Sequence, residues 1–316
     1  MAFSVQGKGG LLLLPTAKLP AELQHLFATA FSKRIQNKNS PNEVLYHYTS
    51  LTSLMGMVES RKIWMSKADF LNDSSEMVYF SEVLKKSVSH MKDVDSAEAW
   101  HHYIRKFEDC MNGFLNDIDE DGLEVYVFSL SHNKDSLALW YNYAQGDGYN
   151  IGFEAEDLVG KGEKILKTIN GIHGFVLYQE EEQEEFLRES LRDAYELFNR
   201  QEKQGNDIAF EEYFNILLAA CATFFKNPAF KSEEEYRLAA VIGKESRVNV
   251  EFRARHGIII PFIAVELGDI LPICHVTIGP KNNIDVAKKG VDYYLKSKGY
   301  NLDKVKVSKS IAALRY

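Results

Sequence analysis

Apolar residues recur every three to four positions in some stretches of the chain and every second position in others, and the two periods interleave through its first half. Val44–Tyr48 reads as a short strand. Leu51, Leu54, Met55 and Val58 follow at helical spacing behind Thr49-Ser50, which can cap that helix. Ile63–Ser66 reads as a second strand. Asp73, three residues ahead of Glu76, makes a capping-box-like start for a helix with Met77, Phe80, Leu84 and Val88 on its core face. A helix over 97–115 carries Tyr103, Phe107, Cys110 and Phe114 on one stripe. Val125–Ser131 is a strong strand, Ser136–Ala144 a helix with Leu137, Trp140 and Tyr141 on one side, and Tyr149–Phe153 a further strand.

Gly174–Tyr178 reads as a strand, followed by two long helices, Glu181–Phe198 and Ile208–Lys226, the second stopped by Asn227-Pro228. The last third is β-rich. Tyr236–Ile242 and Val248–Ala254 flank Gly243-Lys244-Glu245 as a hairpin would, and Val248, Val250, Phe252 and Ala254 alternate with polar residues. Strands at Gly257–Pro261, Ile263–Glu266 and Ile273–Ile278 precede a helix over Asp285–Lys298, ended by Gly299, and a last strand at Val305–Val307. Elements that interleave early and segregate late predict an α+β fold with a mainly antiparallel mixed sheet. Residues 1–41 read as an N-terminal extension and linker. Residues 42–316 read as one domain with a long-helix insertion at about 181–226.

Composition narrows the classes. The 316 residues are 45% hydrophobic and 26% charged, ordinary for a globular chain and unlike disorder or a coiled-coil rod. Lys and Arg number 37 against 45 Asp and Glu, a net charge of −8, which disfavours bulk binding to nucleic acid or an anionic membrane and leaves room for a local basic groove. The run Leu11–Leu14 is too short for a signal peptide, and no segment approaches the roughly 18 apolar residues of a membrane span. Three scattered cysteines fit buried thiols in a reducing compartment, so a cytoplasmic protein is expected. No metal-ligand spacing, phosphate loop or nucleophile elbow occurs, and no metal is expected.

Four constellations are candidates for chemistry. Tyr46-His47-Tyr48-Thr49-Ser50 lies where a strand meets a helix N-terminus, whose free N–H groups suit an anion or a ribose hydroxyl; it reads equally as an edge histidine beside a plain cap. Asn72-Asp73 either caps a helix or lines a cleft. Ser129 and Ser131 put two hydroxyls on one face of an apolar strand, which suits a face open to a cleft; Trp140 and Tyr143 nearby stack on a flat ring or belong to the core. Glu235 and Arg237 alternate at a strand start and point one way, as a structural ion pair or as a catalytic carboxylate with its orienting partner.

Taken together, Leu45–Ser50, Phe70–Asp73 with Glu76, Phe128–Ser131, Leu139-Trp140 with Tyr143-Ala144, Gly148 with Ile151–Phe153, Phe225–Phe230, Glu235–Arg237, Ile278–Pro280 and Ser310 to Arg315 resemble the bacterial family known as domain of unknown function 2971. A more distant resemblance is to ADP-ribosyltransferases, in their DNA-targeting toxin and RNA 2′-phosphotransferase branches. It rests on the Tyr-His-Tyr-Thr strand end, its Leu-rich helix and the strand near Ile63–Ser66. Those folds carry a His or Arg on a first strand, a Ser, Thr or Tyr motif on a second and a Glu at the start of a late strand; His47, Ser129 or Ser131 and Glu235 stand in that order.

The resemblance implies an ADP-ribosyltransferase-like fold using NAD. His47 (with Tyr48 and Thr49) would hold a ribose hydroxyl, and Tyr143 or Trp140 would stack on nicotinamide. Glu235 would bond the 2′-hydroxyl and steady an oxocarbenium-like transition state, as carboxylates do in glycoside cleavage. Arg237 would orient Glu235 or contact phosphate. The implied role is a toxin or phage-defence effector with a nucleic acid or protein acceptor, and with scope for a regulatory protein partner. The long helices at 181–226 have no counterpart in a minimal transferase. The alternatives are a non-catalytic nucleotide-sensing or protein-binding module on the same scaffold, and another enzyme such as a nucleotide glycohydrolase or nuclease.

Overall fold

The computed structural model describes residues 19–36, 44–70, 76–119, 123–145, 148–166, 171–202, 208–243, 248–255, 257–282 and 284–312. The expected cap at Asn72-Asp73, the Leu11–Leu14 run, the turn at Lys244-Glu245 and Arg315 lie outside the described residues. What is described is a mixed α/β structure built on a mostly antiparallel open sheet. The first half follows the sequence periods closely: β1 (Val44–Thr49), α2 (Leu51–Ser60), β2 (Lys62–Lys67), α3 (Glu76–Lys92), α4 (Glu98–Asp119), β3 (Leu123–Ser131), α5 (Leu137–Ala144) and β4 (Tyr149–Glu154), after an opening helix α1 (Ala21–Phe31). A helix the periodicity did not predict, α6 (Ala155–Leu166), follows β4 and leads to β5 (Gly171–Phe175). That strand starts three residues earlier than expected. Val176–Gln179 continues beyond it in extended chain, pinned by an isolated bridge between Leu177 and Phe225. The two long helices are α7 (Glu180–Glu202) and α8 (Ile208–Phe224).

The late strands pair differently from the expected hairpin. β6 (Glu235–Gly243) lies between β3 and β5, antiparallel to both, while β7 (Val250–Arg255) pairs with β8 (Ile258–Glu266). The reason is burial. β6 is apolar on both faces, with Leu238, Ala239, Ala240, Val241 and Ile242 all buried, so it belongs inside a sheet, whereas β7 is a half-exposed edge. β8 runs unbroken through Pro261, which sits one residue past the last β2–β8 pair, Ser66 with Phe262, where no further bond to β2 is needed. β9 (Ile273–Ile278) pairs with β4, the helix α9 (Ile284–Ser297) follows, and β10 (Lys306–Lys309) closes parallel to β9. The path reads β10-β9-β4-β1-β3-β2-β8-β7, with β6 and β5 branching from β3.

Each face of the sheet has its own core. On one side Leu45, Phe128, Leu130, Ile151, Phe153, Leu238 and Ile263 pack with residues of α2, α6 and α9. On the other, Val127, Ala239 and Val241 join a layer made by α1, α3, α4, α7 and α8. Within the stretch read as an N-terminal extension, α1 and the π-helical turn Ser32–Gln36 bury Leu23, Phe27, Phe31 and Ile35 in that layer. Phe31 meets Phe186 and Phe224 edge-on, and Arg34 pairs with Glu185 at 2.9 Å and Glu189 at 2.8 Å. The turn also fits against β5 at Gly174, where an added Cβ would stand 2.8 Å from the Ile35 carbonyl oxygen.

A backbone contact cannot yield as a side chain can. Gly174→Ala is therefore expected to lower stability by about 1–3 kcal/mol in chemical denaturation. Gly160→Ala, on α6 with nothing within 4 Å, is expected to be neutral or to stabilise by about 0.5–1 kcal/mol.

Candidate functional site

One edge of β3 is shared by two strands. β1 reaches it at the pair Tyr46–Ser131, β2 at the pairs Ser66–Val127 and Lys67–Tyr126, and between them Phe128–Leu130 has no strand partner on that edge among the described residues. The sheet opens there. His47 spans the gap: its Nδ1 lies 2.8 Å from the Ser129 carbonyl and its ring stacks on Phe128 at 4.3 Å. A carbonyl only accepts, so Nδ1 carries the hydrogen. Burial, with Arg253 and Arg255 adding to it, pushes the imidazole down to about 4, against the backbone bond that favours its charged form. At neutral pH the ring is uncharged and Nε2 is an acceptor. The helix α2, capped by Ser50 accepting from the Ser53 N–H at 3.2 Å, begins beside the opening. A cleft of about 700 Å3 occupies it, with His47, Ser129, Tyr143, Glu235, Arg253 and Arg255 on its walls.

The register of β3 on β6 sets the chemistry of the opposite wall. Ser129 faces Arg237 and Ser131 faces Glu235, so all four side chains share one face of the sheet. Glu235 is buried. Arg237 grips it with two bonds, Nε to Oε1 at 2.8 Å and Nη2 to Oε2 at 3.0 Å, and Lys226 Nζ reaches Oε2 at 3.1 Å. Burial alone would raise this carboxyl, but Arg237 and Lys226 outweigh it and hold it well below the usual range. Lys226 also meets Glu233 at 2.8 Å and Glu76 at 3.3 Å, and Arg237 meets Glu76 at 2.8 Å. Burial would lower the Lys226 ammonium, yet Glu235, Glu76 and Glu233 carry it above its ordinary value. The cluster is three carboxylates around two cations, with Tyr143 donating to Glu233 at 2.9 Å on the cleft side.

The expected site residues divide into two groups. His47, Tyr48, Thr49, Ser129, Ser131, Tyr143 and Glu235 converge on the cleft. Tyr48 and Ser131 have their hydroxyls committed to the fold: Tyr48 donates to the Asn133 carbonyl at 2.7 Å and accepts from Ser136 N–H, and Ser131 donates to the Glu233 carbonyl at 2.6 Å. Trp140 and Arg237 are not on the cleft wall. Trp140 is fully buried, with Nε1 donating to Asp135 at 2.6 Å and its ring edge-on to Tyr48, so it braces α5 and offers no face to a ligand. Arg237 stands behind Glu235, where it can orient the carboxylate; its Nη1 donates to the Thr223 carbonyl at 2.7 Å.

Several residues at the site escaped the sequence reading. Glu233 belongs to the acidic run Glu233-Glu234-Glu235, which resembles a solvated loop. Glu234 takes the left-handed conformation at φ 44° between the turn Pro228–Glu233 and β6, so its neighbours both face inward while it stays exposed. Lys226 looked like the end of α8; instead Asn227 caps the next turn, and Phe230 lies under the Lys226 ammonium at 5.1 Å. On β7 the alternation misled. Phe252 is 66% exposed, while Arg253 and Arg255 are half-buried on the cleft wall. Arg253 donates to Ser66 Oγ at 2.7 Å and lies over Trp64 and Phe262.

The sequence profile of the family described as "Protein of unknown function (DUF2971)" matches residues 139–238 and supports the family resemblance over that stretch. The matched stretch runs from α5 into β6 and so contains Tyr143, Lys226, Glu233, Glu235 and Arg237, while His47, Arg253 and Arg255 lie outside it. No curated protein and no solved structure matches the chain. Among the described residues no group of three or more His, Cys, Asp and Glu side chains is placed to hold a metal ion, and no helix is long and apolar enough to cross a membrane.

Two outcomes follow from this electrostatics. Removing one cation from a buried cluster leaves charge uncompensated, so Lys226→Met is expected to cost about 3–5 kcal/mol in urea denaturation. His47 and His275 both titrate near 4 when folded against 6.5 for the free side chain, so between those values the unfolded chain binds more protons. Stability should therefore fall as pH drops from 6.5 towards 4. His47→Gln should flatten that limb and leave the part due to His275, as read from melting temperature against pH.

Proposed function

We propose that the chain is an NAD-using ADP-ribosyltransferase-like protein and that NAD is bound as substrate in the cleft at the sheet opening. The observation that carries this reading is the meeting of His47, Ser129 and Glu235, from three different strands, at the one place where β1 and β2 part along β3. A volume of about 700 Å3 is within the range of a nucleotide pocket. The neutral His47 accepts a ribose hydroxyl at Nε2. The Tyr143 ring lies against nicotinamide. Glu235, kept ionised by Arg237 and Lys226, accepts from the 2′-hydroxyl and opposes the positive charge that develops on the ribose as the C1′–N bond breaks and nicotinamide leaves with its electron pair. The acceptor, a nucleic acid or a protein nucleophile, gives up a proton as its new bond to C1′ forms. A toxin or phage-defence role belongs to the same reading.

A second reading is a non-catalytic nucleotide-binding module. One observation favours it: Arg237 and Lys226 already place three donors on the Glu235 carboxylate, one on Oε1 and two on Oε2, which leaves about one of its four lone-pair sites for a substrate hydroxyl.

Mass spectrometry of nicotinamide release from NAD, alone and with nucleic acid or cell lysate, separates the two. Wild type is expected to release nicotinamide, and Glu235→Gln to do so at least about 100-fold more slowly while still binding NAD by calorimetry. Binding without release by wild type would favour the module, and intact NAD with no binding would overturn both.

A further inference from the structure

The buried cations Lys226 and Arg237 share three carboxylates, but the cleft holds a second pair with none. Arg253 and Arg255 are two residues apart on the edge strand β7, so their side chains lie on the same face, and both are half-buried on the cleft wall. No carboxylate lies within ion-pair distance of either guanidinium among the described residues. Arg253 uses one Nη2 hydrogen on Ser66 Oγ at 2.7 Å, and its Nε–H is buried without any hydrogen-bond partner. Its plane is held over Trp64 at 5.6 Å and Phe262 at 5.7 Å, so the unused donor is fixed in direction and not free to swing into water. Arg255 makes a single long contact, Nη2 to the Tyr143 carbonyl at 3.4 Å.

Two like charges side by side, partly desolvated and with donors unspent, form an arrangement that an anion would complete. Guanidinium stays protonated and matches phosphate oxygens with paired donors, and a buried N–H without a partner is rare enough to need a reason. We propose that Arg253 and Arg255 are a phosphate subsite of the cleft, reading the diphosphate of a nucleoside diphosphate group. The assignment rests on the nucleotide reading given above for the choice of ligand, and on the unpaired guanidinium groups for its position. It puts the charged part of the ligand on the β7 side of the opening, with the sugar and base reaching towards His47 and Tyr143.

Calorimetry on the full chain with ADP, adenosine and inorganic pyrophosphate tests it. ADP should bind at least about tenfold more tightly than adenosine, pyrophosphate should displace it, and the preference should shrink as salt is raised to about 0.2 M. Arg253→Gln should remove most of the ADP preference and leave adenosine binding within about twofold. Arg255→Gln, which gives up only the long carbonyl contact, is a second variant should Arg253→Gln fold poorly. Equal affinity for ADP and adenosine, an ADP preference unchanged in both variants, or no ADP binding would overturn the subsite, as would a single-stranded RNA that displaces ADP at lower concentration. The two proposals fail separately. ADP preference without nicotinamide release leaves the subsite standing and removes transferase activity; nicotinamide release with no preference for ADP over adenosine does the reverse.

Discussion

The hydrogen bond from His47 to the Ser129 carbonyl stands where a strand should be. Backbone polar groups along a buried strand edge need partners, and a sheet that parts its strands normally leaves them to water. Here an aromatic ring with one donor closes the gap from the side, at 2.8 Å, while stacking on the neighbouring Phe128. That lets β1 and β2 leave β3 in different directions without unravelling it, and the space they vacate is the cleft. It also settles the tautomer of the ring, because the carbonyl facing Nδ1 can only accept, while burial keeps the ring uncharged. The opening of the sheet and the tautomer of the ring are thus consequences of one bond.

The charged cluster is the counterpart on the other edge of β3. Five charged groups sit under the cleft floor, drawn from α3, the segment just after α8, the turn before β6 and β6 itself. Such a cluster contributes little net stability once desolvation is counted, but it leaves few alternative arrangements, since each group needs the others in place. It ties the helical layer to the sheet at the point where Glu235 meets the cleft. The carboxylate is therefore pre-oriented and ionised before any ligand arrives. The pair on β7 is built the opposite way: among the described residues no carboxylate lies within ion-pair distance of Arg253 or Arg255, while each member of the cluster has a counter-ion.

Much of the first half was legible in the sequence because each element there carries its own signal: Ser50 does cap α2, and the 3.6-residue stripes of α3 and α4 bury Phe80, Leu84, Val88, Tyr103, Phe107 and Phe114. The meeting of His47, Ser129 and Glu235 was legible too, though as an ordered set of residues and not as a geometry. What was lost is what depends on partners far along the chain. β6 and β7 look like a hairpin locally, and only the two-sided burial of Leu238 to Ile242 sends β6 into the sheet. Trp140 looked like a stacking platform because aromatic side chains read alike whether they face a ligand or Tyr48. Arg253 and Arg255 were hidden because an edge strand can turn its polar row inward wherever the inside is a cleft. Glu233 was hidden by a single left-handed residue, Glu234, that no propensity would place there.

The burial of α1 has a consequence for how the chain is made. Phe27 and Phe31 complete their packing only against Phe186, Tyr213 and Phe224, which emerge from a ribosome long after α1 has been synthesised. At roughly 5–20 residues per second the interval is on the order of ten seconds or more. During it the apolar face of α1 has none of those rings to cover it. The nascent chain thus presents a hydrophobic helix face until the segments that carry those rings are made, which makes α1 a natural point of engagement for chaperones.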